Sequence, residues 1–404
     1  MFRSRTPSRD RMATSADAGF GLGRLLSVGR PKDAWNRNLQ REFAMRAVGY
    51  QKSLPIDNKE ALVDIEQPKP EPKGRDLLVE IQAVSVNPVD TKIRKRTGAG
   101  PEPWKVLGWD AAGIVRATGP DATLFKSGDA VFYAGAIGRQ GTNSEFHLVD
   151  ERIVGRKPSS LDWAEAAALP LTAITAWEML FDRLDVRKSV PGAASAILIV
   201  GGAGGVGSIA VQLAKKLTPL TVIATASRPE TKDWVQQLGA HHVIDHSKPL
   251  AAQVKALGIG APGVVFSTTN TDLHFSEIAE LIAPQGRFGL IDDPPTFDIG
   301  VFKRKSVSIH WESMFTRSVF ETPDIGEQGA LLNQVSKLVD EGVLQSTLAD
   351  NFGPINAANL RRAHALIESG RARGKIVLEG FDESDDRPGR GVEAVGQPRE
   401  RQGA

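Results

Sequence analysis

The chain has 404 residues, 41% of them hydrophobic, a formal charge of +2 and no cysteine. That length and apolar content suit a soluble protein with room for two cores, and the near-neutral balance lacks the broad basic footprint of a dedicated nucleic-acid binder. Without cysteine there are no disulfides, thiolate nucleophiles, iron–sulfur clusters or sulfur-bound zinc sites; no run reaches the roughly eighteen apolar residues of a membrane span, so a cytoplasmic location is expected.

Residues 1–44 are rich in Arg, Ser and Gly and show no sustained periodicity. They are expected to be a disordered extension, or the product of a start upstream of Met45, with an organellar transit peptide as the alternative. From Met45 onward, alternating runs separated by Pro and Gly predict strands of a partly closed, mostly antiparallel unit: "DLLVEIQAVSV", "AAGIVRATG", "DAVFYAGA" and "SEFHLVDERIVG". Gly113, Gly119 and the Gly128-Asp129 pair fall where such strands bend or turn. After the first run, Asn87-Pro88 reads as a turn, with Asp90 bracing it.

"PSSLDWAEAAALPLTAITAWEML" reads as helical segments divided at Pro170. From Ala196 the pattern changes to buried strands alternating with helices, in the order "AILIV", "GSIAVQLAKKL", "TVIATA", "ETKDWVQQLGA", "HHVID", "GVVFST", "SEIAELIAP", "GRFGLID" and "SVSIHW". Such alternation predicts a doubly wound α/β domain around a parallel sheet. A last helix, "EQGALLNQVSKLVDEG", closes it before "GKIVLEG" returns a strand to the first unit. The end, "FDESDDRPGRGVEAVGQPRERQGA", is too charged and Gly/Pro-rich to offset its ordering entropy and is expected to be a disordered tail over 381–404.

Gly202-Ala203-Gly204-Gly205-Val206-Gly207 is a G-x-G-x-x-G that follows a buried strand and opens an apolar-periodic helix, the context a dinucleotide site requires. Gly202 permits the tight turn, Gly204 lets the backbone approach a pyrophosphate, and Gly207 lets helix and strand pack closely. The helix N-terminus offers free N–H groups to the phosphates. At the end of the next strand an NAD enzyme places Asp or Glu on the ribose 2′-OH, whereas this chain has Ser227-Arg228, which suits the 2′-phosphate of NADPH. His246 is a candidate second phosphate contact, and Glu230 lies close in sequence.

With these residues in place the chain resembles the medium-chain dehydrogenase/reductase superfamily, and within it the quinone oxidoreductase (zeta-crystallin-like) branch. The likeness rests on "NPVDTKIR", "LGWDAAGIV", "KSGDAVF", "EAAALPLTAITAW", "GGAGGVG" and "RGKIVLEG" in that order, and the wording is similar to a bacterial subgroup of zinc-type alcohol dehydrogenase-like proteins. It implies a GroES-like catalytic domain over 45–170 completed by 346–380, and a Rossmann NADPH-binding domain over 171–345. Zinc members carry Cys near the position of Asn87, Gly-His-Glu at Gly108-Trp109-Asp110, and a four-Cys lobe that this chain lacks. Asp90, Asp110 and His147 have no spacing that supports a ligand set, so no metal is expected.

The resemblance further implies that Asn87 faces the nicotinamide and the substrate oxygen. Thr172 contacts the nicotinamide side, and the backbone around Gly374-Lys375 completes that wall. Tyr133 is a candidate carbonyl donor, with a packed strand aromatic as the alternative. Trp109 either lines the pocket or packs in the core. Asp292-Asp293 belongs to a loop expected over the cofactor, as a solvated turn with a cation-binding pair as the alternative, and His241-His242 to a strand edge or the surface.

Neither tyrosine, Tyr50 or Tyr133, sits in a Tyr-x-x-x-Lys pattern, so simple alcohol oxidation is disfavoured. Hydride transfer from NADPH to a quinone or an α,β-unsaturated carbonyl needs only donors that stabilise an enolate or quinol anion. A zinc alcohol dehydrogenase, and a non-enzymatic NADPH-sensing or RNA-binding protein, are the competing expectations. A homodimer through "SVSIHW" is expected from the superfamily.

Overall fold

The computed structural model describes residues 44–296 and 298–381. Apart from Ala44 and Phe381, the leader over 1–44 and the tail over 381–404 lie outside the described residues. In chain order the first half contributes β1 (Ala44–Tyr50), β2 (Val63–Pro68), β3 (Asp76–Val86), helix α1 (Pro88–Arg96), β4 (Lys105–Val106), β5 (Ala111–Thr118), β6 (Ala130–Tyr133), β7 (Phe146–Asp150) and β8 (Val154–Arg156). Strand β3, rich in β-branched residues and buried toward its end, is the spine of this half. It pairs antiparallel with both β5 and β7, and β5 continues through β6 to β8.

The second half opens with α2 (Trp163–Ala167) and α3 (Pro170–Trp177), divided at the proline as expected. It continues through β9 (Ala194–Val200), α4 (Gly205–Leu217), β10 (Thr221–Thr225), α5 (Pro229–Gln237), β11 (His242–Ile244), α6 (Leu250–Ala256), β12 (Pro262–Ser267), α7 (Thr271–Leu281), β13 (Arg287–Leu290) and β14 (Ser308–Trp311). The six strands form one parallel sheet in the order β11-β10-β9-β12-β13-β14. Counted within the sheet this is 3-2-1-4-5-6, the doubly wound order that binds dinucleotides where the strand order reverses. The central strand β9 is buried on both faces from Ala196 to Val200, which is why it reads as an unbroken apolar run.

After α8 (Thr316–Val319) and α9 (Glu327–Asp340), strand β15 (Leu348–Asn351), helix α10 (Ala357–Glu368) and strand β16 (Lys375–Glu379) return to the first half. Strand β16 pairs antiparallel with β3, Ile376 opposite Val86, so Lys375 arrives beside the end of β3. One element was not anticipated. The Asn-Pro-Val-Asp segment, read from the sequence as a turn, opens the nine-residue helix α1, with Asn87 as N-cap and proline in the first turn. Asp90 accepts from the Asn87 backbone N–H at 2.7 Å, the carboxylate half of a capping box.

A π-helical turn, Glu178–Arg183, follows α3 and brings Glu178 close to Glu312, just past β14. Glu178 takes the guanidinium of Arg317, and Glu312 accepts from Arg183 Nε at 2.8 Å. Oε1 of buried Glu312 has no partner unless a proton lies between the two carboxyls. Burial, reinforced by Glu312, pushes Glu178 from its ordinary 4.5 up to about 8. The folded chain therefore holds a proton that the unfolded chain releases in this window, and this contribution to stability falls as pH rises from about 4.5 through about 8. Glu178→Gln is expected to flatten that fall. Urea midpoints at about pH 6 and about pH 9 for both proteins check it, and equal slopes would refute it.

Candidate active site

Where β3 gives way to α1, the side chain of Asn87 is only 1% exposed and both ends of its amide are engaged. Nδ2 donates to Asp110 Oδ2 at 2.8 Å and makes a longer contact, 3.4 Å, with the Ser85 carbonyl. Oδ1 accepts from the Lys375 ammonium. Lys375 also donates to the Val86 carbonyl at 3.1 Å and to Asp110 Oδ2 at 3.0 Å. The other carboxylate oxygen of Asp110 accepts from the Leu171 N–H at 2.7 Å, in the first turn of α3. Lys375 is 2% exposed and Asp110 0%, so this is a buried ion pair closed by an amide.

Burial lifts the Asp110 carboxyl above its ordinary range, against the pull of Lys375 and Asn87. Burial also pushes Asp90 up to about 7, opposed first by the Asn87 N–H and then by Lys375. Asp90 is thus a buried bracing group, with Oδ2 on the helix cap and Oδ1 without a hydrogen-bond partner.

The glycine loop leads from β9 into α4, whose first-turn N–H groups have no acceptor within the helix. A Cβ on Gly207 would meet the Gly201 carbonyl at 2.2 Å and Gly202 Cα at 2.7 Å, so helix and strand touch backbone to backbone. A Cβ on Gly204 would meet only the Gly201 carbonyl at 3.5 Å, which leaves its outer side open. Gly202 packs against Ala224 of β10, and Val206 is half-buried at the helix start. At Gly205 a Cβ would lie 2.9 Å from Lys375 Cδ and 3.1 Å from Thr172 Cγ2. The stem of Lys375 therefore crosses the start of α4 on its way to Asp110, and Gly374 N donates to the Ala203 carbonyl at 2.9 Å.

Ser227 and Arg228, expected at the ribose phosphate, follow β10, and Arg228 caps α5. Its guanidinium contacts Glu230 at 3.1 Å and the Arg371 carbonyl at 2.9 Å, and it stays partly exposed. His246 is half-buried with Nδ1 3.3 Å from Thr225 Oγ1, and burial lowers its pKa.

Other expected residues sit elsewhere or do other work. Tyr133 does not face a cleft: it is 0% exposed, and its hydroxyl meets His147 Nδ1 at 3.0 Å. Trp109 is likewise in the core, donating to the Ala136 carbonyl at 3.3 Å and meeting Phe315 edge-on. The Thr172 hydroxyl turns back to the Leu169 carbonyl at 3.1 Å, leaving its methyl toward the glycine loop. Asp292 accepts from Thr271 N at 2.9 Å at the start of α7, and Asp293, exposed as a solvated turn residue would be, pairs with Lys92 of α1 at 3.0 Å. His241 accepts from Val222 N and meets Lys215, a structural edge contact.

The site does not fit zinc. The chain has no thiolate, Trp109 is packed in the core, and an ammonium already lies among the oxygens of Val86, Asn87 and Asp110. Sequence reading missed the central role of the Lys375 side chain and of Asp110. A lysine at the head of the buried strand Lys375–Glu379 was the available signal, since a buried lysine requires a partner.

Comparison with known proteins agrees with this architecture. Residues 73–159 match the alcohol dehydrogenase GroES-like domain family, and residues 238–378 the zinc-binding dehydrogenase family. A zinc-type alcohol dehydrogenase-like protein of Staphylococcus aureus is 40% identical over 339 residues, covering 83% of this chain and 99% of the relative. A solved protein of Rhizobium etli CFN 42, described as a candidate zinc-dependent alcohol dehydrogenase, is 71% identical with a TM-score of 0.83, covering 84% of this chain and 99% of that one. The quinone oxidoreductase of Coxiella burnetii is 26% identical with a TM-score of 0.68, covering 83% and 99% respectively.

Proposed function

The chain belongs to the medium-chain dehydrogenase/reductase superfamily, among its zinc-type alcohol dehydrogenase-like members and with quinone oxidoreductase-like structural neighbours; from that membership we propose that it is a metal-free, NADPH-dependent reductase of quinones or α,β-unsaturated carbonyl compounds. The observation that carries this reading is the contact of the Lys375 stem with Gly205, which sets a thiolate-free polar cluster directly against the dinucleotide loop. The domain division given above, at 45–170 with 346–380 and at 171–345, belongs to the same proposal.

Bound on the loop, NADPH would supply a hydride to the β-carbon of an enone or to a quinone, with the electron pair moving to the conjugated oxygen. The first-turn N–H groups of α4 would hold its pyrophosphate. The Asn87 N–H that makes only a 3.4 Å contact inside the protein is the donor assigned to the developing oxyanion, and solvent supplies the last proton. Tyr133, whose hydroxyl is engaged with His147 at 3.0 Å, is assigned no part in this. NADPH oxidation with a benzoquinone or an enone is expected to persist after chelator treatment. Loss of activity with chelator and its return with zinc would overturn the reading.

Ser227 and Arg228 are assigned to the 2′-phosphate, with Arg228 leaving Glu230 to do so. Charge-assisted hydrogen bonds contribute about 1.5–3 kcal/mol, so Arg228→Ala is expected to weaken NADPH binding about 10- to 100-fold and NADH binding less than about twofold. Fluorescence titration with both cofactors measures this, and equal losses would count against the assignment. A homodimer is also proposed: β14 is an edge strand carrying Trp311 at 54% exposure. A monomer mass in light scattering would exclude it.

A further inference from the structure

The Lys375 ammonium has three N–H donors and three oxygens around it, from three places in the fold: the Val86 carbonyl at the end of β3, Asn87 Oδ1 at the cap of α1, and Asp110 Oδ2 just before β5. It is a closed node, with no donor left over. Two consequences follow from its position. Asp110 is buried, and its carboxylate form survives there only beside a cation. The amide of Asn87 can be turned either way round, and the grip of the ammonium on Oδ1 settles which end meets Asp110.

We propose that Lys375 is the resident cation of this site and the positioning residue for Asn87. By holding Oδ1 it fixes the orientation of Nδ2, with one hydrogen on Asp110 and the other only loosely engaged by the Ser85 carbonyl. The loosely held hydrogen is the one a substrate oxyanion takes. The same lysine crosses Gly205, so the dinucleotide loop and the donor amide are set by one side chain. The charge a bound metal would bring is supplied here by the chain itself. This deepens the reductase reading and rests on it only for the identity of the substrate.

The test is a cycle of wild type, Lys375→Met, Asp110→Asn and the double variant, with two readouts that need no substrate. In protein labelled with ¹⁵N-asparagine, the side-chain pair of Asn87, assigned by its loss in Asn87→Asp, is expected as two distinct, slowly exchanging signals. In Lys375→Met those signals are expected to collapse or exchange fast. In thermal melts each single variant is expected to lose about 5 °C or more, and the double variant clearly less than the sum, because it leaves no buried charge unpaired. The double variant also covers the case in which Lys375→Met alone does not fold.

With a quinone acceptor, kcat is expected to fall at least about tenfold in Lys375→Met while KM for NADPH changes less than about threefold. The acid limb of its pH profile is expected to move upward, because Asp110 loses the cation that lowers its pKa. Unchanged Asn87 signals, or losses that simply add, would overturn the proposal. So would altered signals with an unaltered kcat. A wild-type protein that reduces no quinone or enone but shows the expected signals and coupling would sink the reductase reading and leave the role of Lys375 standing.

Discussion

Asp110→Ala is expected to destabilise the protein by about 3–5 kcal/mol and to abolish reductase activity, the cost typical of breaking a buried charge pair from one side. Three donors converge on this carboxylate: Lys375 at 3.0 Å, Asn87 at 2.8 Å and the Leu171 N–H at 2.7 Å. Alanine leaves an ammonium without a counter-charge, an amide donor without an acceptor, and an orphan N–H at the start of α3. Water cannot easily replace these partners, because Lys375, Asn87 and Asp110 are all almost fully enclosed. Urea denaturation of the full chain measures the loss. A change below about 1 kcal/mol would mean that the pair is not the ionic node described here.

Gly207→Ala is expected to cost both stability and cofactor. Its Cβ would fall 2.2 Å from the Gly201 carbonyl and 2.7 Å from Gly202 Cα, atoms of the backbone that no rotamer change can move aside. Helix α4 must then lift from β9, with overpacking strain of about 1–3 kcal/mol, and its N-terminal N–H groups leave the line proposed for the pyrophosphate. NADPH affinity should drop about 100-fold or more. Gly204→Ala is the discriminating control. Its Cβ meets the Gly201 carbonyl at an ordinary 3.5 Å, so the fold should melt near wild type while the added methyl occupies the face assigned to the cofactor. Titration of cofactor fluorescence together with melting curves separates the two variants. Equal behaviour would mean that the loop does not hold a pyrophosphate.

Much of the architecture was legible because it is written locally. A buried parallel strand must be apolar along its whole length, as Ala196–Val200 is, and an amphipathic helix must repeat its apolar positions, as Gly205–Leu217 does. The glycine loop was recognisable for the same reason, since Gly202 and Gly207 answer to contacts within a few residues or with the adjoining strand. Helix α1 was missed although its signals were present: Asn at the cap, Pro in the first turn and Asp three residues on. Reading Asn-Pro as an end to the strand hid the fact that the same residues begin a helix.

The sequence by itself determined that a glycine loop lies between a buried strand and a helix, that the chain has no thiolate to offer a metal, and that Asn87 stands at the end of an alternating strand. These are statements about neighbours, and periodicity and residue chemistry carry them. Only the tertiary structure decided what Asn87 and Lys375 do. The lysine reaches an amide 288 residues away and a carboxylate 265 residues away, because β16 pairs antiparallel with the end of β3. Tyr133 moved from candidate donor to core for the same kind of reason, since its neighbour His147 comes from another strand. A buried charge signals that a partner exists, but which one it meets depends on strand pairing across the sheet, and a one-dimensional pattern does not encode that.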